Sequence, residues 1–144
     1  MLYLDASSIV RLYVNDPGWE RVKALAETDS VACSVHGQAE TVAAFHRKFR
    51  EGIFSTKDFA SALGQFREDC RYGAYEWLPV SLDVAARISA VYETLPASIA
   101  LRASDAVHLS AAAENGFKQI YSNDVRLIGA SSAFGLKGLN VISA

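Results

Sequence analysis

The sequence predicts an α/β fold: a three-layer α/β/α sandwich around a central, mainly parallel sheet. Three observations carry that expectation. Short apolar runs alternate with amphipathic helical segments along the chain, and strands separated by helices pair in parallel with helices covering both faces. Hydrophobic residues make up 51% of 144 residues, enough to fill one core of ordinary size. No repeat, low-complexity tract or linker interrupts the pattern, so residues 1–144 are expected to form a single domain.

The elements follow in order. Residues 1–5 read as the first strand, with the apolar run Met1-Leu2-Tyr3-Leu4 ending in Asp5. Ser7 to Val14 reads as a short helix, and Gly18-Trp19 opens a second that runs to about Thr28. Val31-Ala32-Cys33-Ser34 is a short apolar strand. Gln38 to Glu51 is helical, with Ala39, Val42, Ala43, His46 and Phe49 expected on its inner face. Gly52 follows where a helix-ending glycine belongs.

Ser55-Thr56-Lys57-Asp58 is a capping signal for the next helix. Its apolar stripe is Phe59, Leu63, Phe66 and Cys70, and Gly73 stops it. Glu76 to Val80 reads as a strand in which Pro79 demands pairing on one side only. Ser81 caps a helix with Val84, Ile88, Val91 and Leu95 inward, ended by Pro96. Residues 103–115 form a further helix, Gln119 to Ser122 a strand, and Leu139 to Ser143 the last strand.

Several function classes are excluded at this level. Cys33 and Cys70 are far apart and no CxxC or tight Cys/His cluster exists, so a structural zinc site is not expected. Both read as buried free thiols. No GxGxxG follows the first strand, which argues against dinucleotide binding. The start lacks the basic segment of a signal peptide, and no apolar run reaches the roughly 18 residues of a spanning helix. A soluble, cytoplasmic protein with no membrane association is expected.

Four acids stand out by position. Asp5 follows the first strand and Asp124 follows the strand at 119–122. Glu40 is expected in the first turn of the helix after Val31–Ser34, and Asp105 at the start of the helix at 103–115. Ligands of open α/β sheets bind beyond the carboxyl ends of the strands, so chain order directs these acids to one edge. Each acid has a simpler explanation alone. Asp5 fits an N-cap, Glu40 and Asp105 fit helix starts electrostatically, and Asp124 in Ser122-Asn123-Asp124 fits a turn. Capping does not explain why all four sit beside one sheet edge.

Carboxylates without His or Cys partners suit hard, oxygen-seeking ions, so Mg2+ or Mn2+ is expected, one or two per site. Such ions can hold both the attacking water and the leaving oxygen of a phosphodiester. The formal net charge is −2, but setting four of the 16 acidic residues aside leaves 12 against 14 basic ones. A weakly basic surface around an acidic pocket is compatible with a phosphate-rich ligand. Ser7 and Ser122 can support the carboxylates by hydrogen bonds, or can be ordinary turn and capping serines. Arg11 and Arg102 are candidate phosphate contacts, or surface ion pairs. Arg47, Lys48 and Arg50 form a basic cluster whose default reading is a solvated helix face. His108, between Val107 and Leu109, fits a core or supporting position better than a ligand position; His36 and His46 are weaker candidates still.

The segments Tyr3-Leu4-Asp5-Ala6-Ser7-Ser8-Ile9-Val10-Arg11-Leu12-Tyr13 and Leu101-Arg102-Ala103-Ser104-Asp105-Ala106-Val107-His108-Leu109-Ser110-Ala111-Ala112, with Glu40 between them and Ser122-x-Asp124 after, resemble the PIN-domain family, in particular its VapC-type toxins. The resemblance covers nearly the whole chain. It implies a PIN-like parallel sheet of about five strands and a metal-dependent endoribonuclease, the toxin of a type II toxin–antitoxin pair. Its four acids map onto Asp5, Glu40, Asp105 and Asp124. It further implies an RNA substrate, a cognate antitoxin partner and a homodimer. The stretch Ser34-Val35-His36-Gly37-Gln38 is more polar than the family's usual lead-in to the second acid.

Two other classes compete. A dehalogenase-like phosphohydrolase also places an acid after its first strand, as a nucleophile. It would show Asp-x-Asp where this chain has Asp5-Ala6-Ser7. A non-catalytic RNA- or partner-binding module would have no need to hold four like charges together.

Overall fold

The computed structural model describes residues 1–143. Five short strands are present: β1 (Leu2–Tyr3), β2 (Val31–Ser34), β3 (Tyr75–Leu78), β4 (Gln119–Tyr121) and β5 (Lys137–Leu139). All pair in parallel. β1, β2 and β3 form one ladder and β4 and β5 another. A parallel bridge from Leu4 to Tyr121 joins them, reinforced by Asp5 N–H donating to Tyr121 O at 3.1 Å. The spatial order is therefore β3-β2-β1-β4-β5. The chain winds outward from β1 to β3, then returns to lay β4 against the other side of β1. Strand order reverses between β1 and β4, and a crevice opens at such a point.

The helices are α1 (Ala6–Val10), α2 (Trp19–Ala26), α3 (His36–Arg50), α4 (Thr56–Arg71), α5 (Leu82–Thr94), α6 (Ala103–Glu114) and α7 (Val125–Ala130). Alternate strand residues serve two cores. Tyr3, Ala32 and Leu78 pack with Val84, Leu109, Ile120 and Leu127 on the α5–α7 side. Leu4, Val31, Cys33 and Tyr75 pack with Ile9, Phe45 and Phe66 on the α1–α4 side. This is the expected three-layer sandwich. Among the described residues no helix is long and apolar enough to cross a membrane.

Several expectations hold in detail. Ser55 and Asp58 form a reciprocal capping box, and Ser81 caps α5 through Val84 N–H. β3 is an edge strand paired only with β2, but it spans Tyr75–Leu78 rather than Glu76–Val80, and Pro79 follows its end instead of lying within it. The α4 stripe is buried at Ala62 and Phe66, while Phe59, Leu63 and Cys70 are half-buried. Cys33 is buried and both thiols are free.

Others need correction. The last strand is Lys137–Leu139 rather than 139–143, and a 3₁₀ turn (Ser131–Phe134) and α7 precede it. The register is set by pairing with β4, not by local hydrophobicity. α3 starts at His36, so Glu40 lies beyond the first turn and a helix-start role for it fails. The inner face of α3 is Gly37, Thr41 and Phe45, spaced i, i+4, i+8, while Ala39, Ala43, His46 and Phe49 are exposed. Thr41 can be buried because its hydroxyl donates to Gly37 O at 2.8 Å. His46, Phe49 and Phe59 instead form a separate outer aromatic cluster, with Phe49 and Phe59 stacked at 5.3 Å.

At Gly37, α3 packs tightly against Cys33 of β2 and His108 of α6. A Cβ there would lie 2.4 Å from Cys33 Sγ and 3.3 Å from His108 Cε1. Gly37→Ala is therefore expected to destabilise the fold by about 1–3 kcal/mol through overpacking, measured by denaturant unfolding, despite alanine's better helix propensity.

Candidate active site

The four acids all line one pocket of about 520 Å3 at the carboxyl ends of β1, β2 and β4. Asp5 and Asp124 flank the reversal between β1 and β4. Asp105 opens α6 and Glu40 faces in from α3. Arg11, Asp16, Arg47, Lys48, Arg102, His108 and Asn123 complete much of the lining.

Asp5 lies just beyond β1 and caps α1. Its Oδ1 accepts from Ser8 N–H at 2.9 Å, so the capping explanation is correct and incomplete. Ser7 Oγ reaches both carboxylate oxygens at 2.8 and 2.9 Å, and Ser122 Oγ donates to Oδ2 at 2.5 Å. Ser122 also accepts from Asp124 N–H at 2.9 Å. Both supporting serines thus sit where the sequence pattern puts them. They hold a carboxylate that is only 4% exposed and would otherwise be costly to bury.

Asp124 likewise has two roles. Its Oδ1 accepts from Arg126 N–H at 2.8 Å and caps α7, while Oδ2 meets the Arg102 guanidinium. Asp105 is 5% exposed. It receives Arg102 as a fork, Nε to Oδ2 at 2.9 Å and Nη2 to Oδ1 at 3.2 Å. Arg102 therefore bridges Asp105 and Asp124. Arg11 lines the pocket but is held by backbone, donating to Ser7 O at 2.8 Å and Pro17 O at 3.0 Å.

Glu40 Oε1 is 2.5 Å from His108 Nε2 and 3.5 Å from His36 Nε2. Burial favours the protonated form of Glu40, but the hydrogen bond and charge of His108, with His36 and Arg102, outweigh it and lower its pKa. Burial likewise opposes charge on His108, yet Tyr3, Cys33 and Glu40 around the ring raise its pKa well above the ordinary imidazole value. His108 has the expected supporting place, not that of a ligand.

Among the described residues no three His, Cys, Asp or Glu side chains close into a ready-made ion cluster. Glu40 is drawn to His108, and Arg102 holds Asp105 and Asp124. The chemistry of the lining nevertheless fits a hard divalent cation. It is a set of carboxylates in a polar pocket, and two of them already converge on one positive group.

Sequence reading assigns no role to Tyr3 or Asp16, and its default for Arg47 and Lys48 is a solvated helix face. Tyr3 lies behind His108, its hydroxyl 2.8 Å from Nδ1. Asp16 pairs with Lys48 at 2.8 Å and both line the pocket, as does Arg47. The signal for Tyr3 is a phenol inside a strand with no polar neighbour in sequence, which must find a partner elsewhere. Ser7, at the sequence position of a phosphohydrolase's second acid, is hydrogen-bonded to Asp5.

The chain matches the family model described as PIN domain over residues 2–131. A search of the curated proteins found no match. Among solved structures, FitAcB from Neisseria gonorrhoeae aligns with a TM-score of 0.76 at 19% identity, covering 98% of each chain. A chain of VapBC2 from Rickettsia felis, solved bound to a promoter DNA fragment, gives 0.67 at 17% identity, covering 97% of this chain and 98% of that one. VapC20 of Mycobacterium tuberculosis, a sarcin-ricin loop cleaving toxin, gives 0.65 at 18% identity, covering 90% and 95%. At these identities the structures show a shared fold. With the family model matching nearly the full length, the chain belongs to the PIN domain family.

Proposed function

We propose that the protein is a divalent-cation-dependent endoribonuclease that hydrolyses RNA phosphodiester bonds, and that it is the toxin of a toxin–antitoxin pair. The observation that carries this reading is the convergence of Asp5, Glu40, Asp105 and Asp124 on one pocket at the strand-order reversal. Those four would hold Mg2+ or Mn2+, one or two ions. Bound there, the metal would polarise the scissile phosphate and lower the pKa of an attacking water.

The chain's own residues do the rest. Ser7 and Ser122 fix the Asp5 carboxylate, and His108 fixes Glu40. Arg11, Arg47 and Lys48 supply positive charge along the pocket wall, which draws a phosphate backbone toward an otherwise acidic centre. Arg102 is half-exposed, with the side chain 53% accessible, and can pivot from the acids to a phosphate. Its hold on Asp105 and Asp124 also supports the antitoxin part of the proposal. A pocket that seats its own guanidinium can seat a partner's, in bidentate fashion. Toxin–antitoxin complexes among the structural neighbours point the same way. A homodimer acting in the cytoplasm completes the reading.

The deciding experiment offers purified protein three substrates with Mn2+ or Mg2+: an oligoribonucleotide, the matching oligodeoxyribonucleotide and a phosphate monoester. Internal cleavage of RNA alone is expected. Release of phosphate from the monoester without RNA cleavage would favour the phosphohydrolase, and binding without cleavage would favour the non-catalytic module.

Arg102 gives a smaller, directional prediction. An ion pair to a half-exposed guanidinium is worth about 0.2–1 kcal/mol and Arg102 makes two, so Arg102→Gln should tighten Mn2+ binding by no more than about thirtyfold. The same variant should raise the KM for RNA. Calorimetry and steady-state rates read the two effects separately.

A further inference from the structure

We propose that Tyr3 and His108 form a buried relay that positions the Glu40 carboxylate in the acidic pocket; this rests on the reading of that pocket as a cation-binding nuclease site. His108 sits on α6 and is 2% exposed. Its Nε2 meets Glu40 Oε1 at 2.5 Å, and its Nδ1 meets the Tyr3 hydroxyl at 2.8 Å. The Tyr3 oxygen in turn accepts from Ser34 N–H at 3.0 Å. The chain of bonds runs from the backbone of β2, through a side chain of β1 and a side chain of α6, to a carboxylate on α3.

The donor and acceptor inventory gives the relay a direction. A glutamate is ionised at neutral pH, and an ionised carboxylate only accepts. Nε2 therefore carries the proton that Glu40 receives, whichever way the Nδ1 bond is polarised. The ring cannot turn away from it. Tyr3 packs edge-on at 5.9 Å, Cys33 Sγ lies 3.9 Å from Nδ1, and Gly37 closes over Cε1 so tightly that an added Cβ would sit 3.3 Å away. Glu40 Oε1 takes this bond. Among the described residues Oε2 has no hydrogen-bond partner and is the oxygen left for a ligand.

A glutamate on a helix facing solvent samples many rotamers. Fixing one oxygen removes that freedom before a ligand arrives, and outer partners of ligating groups commonly act in this way. Burial alone asks for a partner at the ring nitrogens; what marks the relay is that the partner at Nε2 is a carboxylate of the acidic pocket.

Three variants test the relay. Tyr3→Phe removes the hydroxyl and keeps the ring. His108→Leu removes the donor, and His108→Gln restores an N–H near the Nε2 position. Manganese affinity is read by calorimetry, kcat and KM by RNA cleavage, and the His108 Nε2 proton by nitrogen-15 NMR. The expected results are these. His108→Leu weakens manganese binding about tenfold or more, His108→Gln recovers a clear part of that loss, and Tyr3→Phe falls between wild type and His108→Leu. The losses appear in kcat, with the KM for RNA near wild type. In wild type, the Nε2 proton is protected from exchange, and its signal shifts in Glu40→Gln.

The relay is overturned if folded Tyr3→Phe and His108→Leu bind manganese as wild type does. It is also overturned if losses merely track thermal stability with Gln no better than Leu, or if no protected Nε2 proton exists. A wild type that shows the protected proton but binds no manganese overturns the pocket reading instead, and the positioning role of Tyr3 and His108 falls with it.

Discussion

Asp5→Asn is expected to cut RNA cleavage by at least about a hundredfold while the protein remains folded. Asparagine caps a helix as well as aspartate does, so the Ser8 N–H bond that starts α1 survives. The hydroxyls of Ser7 and Ser122 can turn to accept from the new amide. What disappears is a negative charge at the centre of the pocket. Removing one electrostatic stabiliser of a reacting group typically costs about 10²–10³ in rate. The check is paired: initial cleavage rates, and thermal unfolding in chelator. A collapse of stability together with activity would mean that Asp5 serves the fold and not the chemistry.

Asp105→Asn is expected to abolish the thermal stabilisation that manganese confers. A ligand at about a hundred times its Kd stabilises the folded state by about 2.7 kcal/mol. For a chain of this size that is a rise of about 5–10 °C in melting temperature. Wild type should show this rise on addition of Mn2+, and Asp105→Asn little of it. The metal-free mutant should melt close to wild type. Repulsion among four acids, judged from sequence alone, would make the amide stabilising. The structure tempers that, because Arg102 already neutralises Asp105 and Asp124, and an amide oxygen still accepts from the guanidinium. A large drop in the metal-free melting temperature would mark Asp105 as a structural anchor for Arg102 and the start of α6.

The parts of the fold legible in the sequence are those set by local chemistry. Val31–Ser34 is a run of small apolar residues and forms the strand as bounded. Ser55 and Asp58 announce α4 because a capping box needs only four consecutive residues. What was illegible depends on distant partners. The inner face of α3 carries Gly37 and Thr41, neither of which looks apolar. One is there because Cys33 leaves no room for a side chain, the other because its hydroxyl bonds the helix's own backbone. The last strand, Lys137-Gly138-Leu139, has no hydrophobic pattern of its own and takes its place from β4.

The candidate site divides in the same way. The four acids could be placed by chain order, since each follows or faces a strand end. Arg102 could be placed at the mouth, but its bridge between Asp105 and Asp124 could not, because it depends on how α6 and α7 meet. The Tyr3–His108–Glu40 relay joins positions from the beginning, middle and late part of the chain, so only the packed sheet reveals it.

The central claim is that this acidic pocket cuts RNA with a bound divalent cation, and one titration tests it most directly. Cleavage of a defined oligoribonucleotide is followed with wild-type protein in excess chelator, then with Mn2+ added back beyond the chelator, with Asp5→Asn purified in parallel as the control for contaminating nuclease. The account predicts no cleavage in chelator, recovery on adding manganese and no recovery in Asp5→Asn. Cleavage by wild type at an undiminished rate in chelator, with the mutant preparation silent, would contradict it.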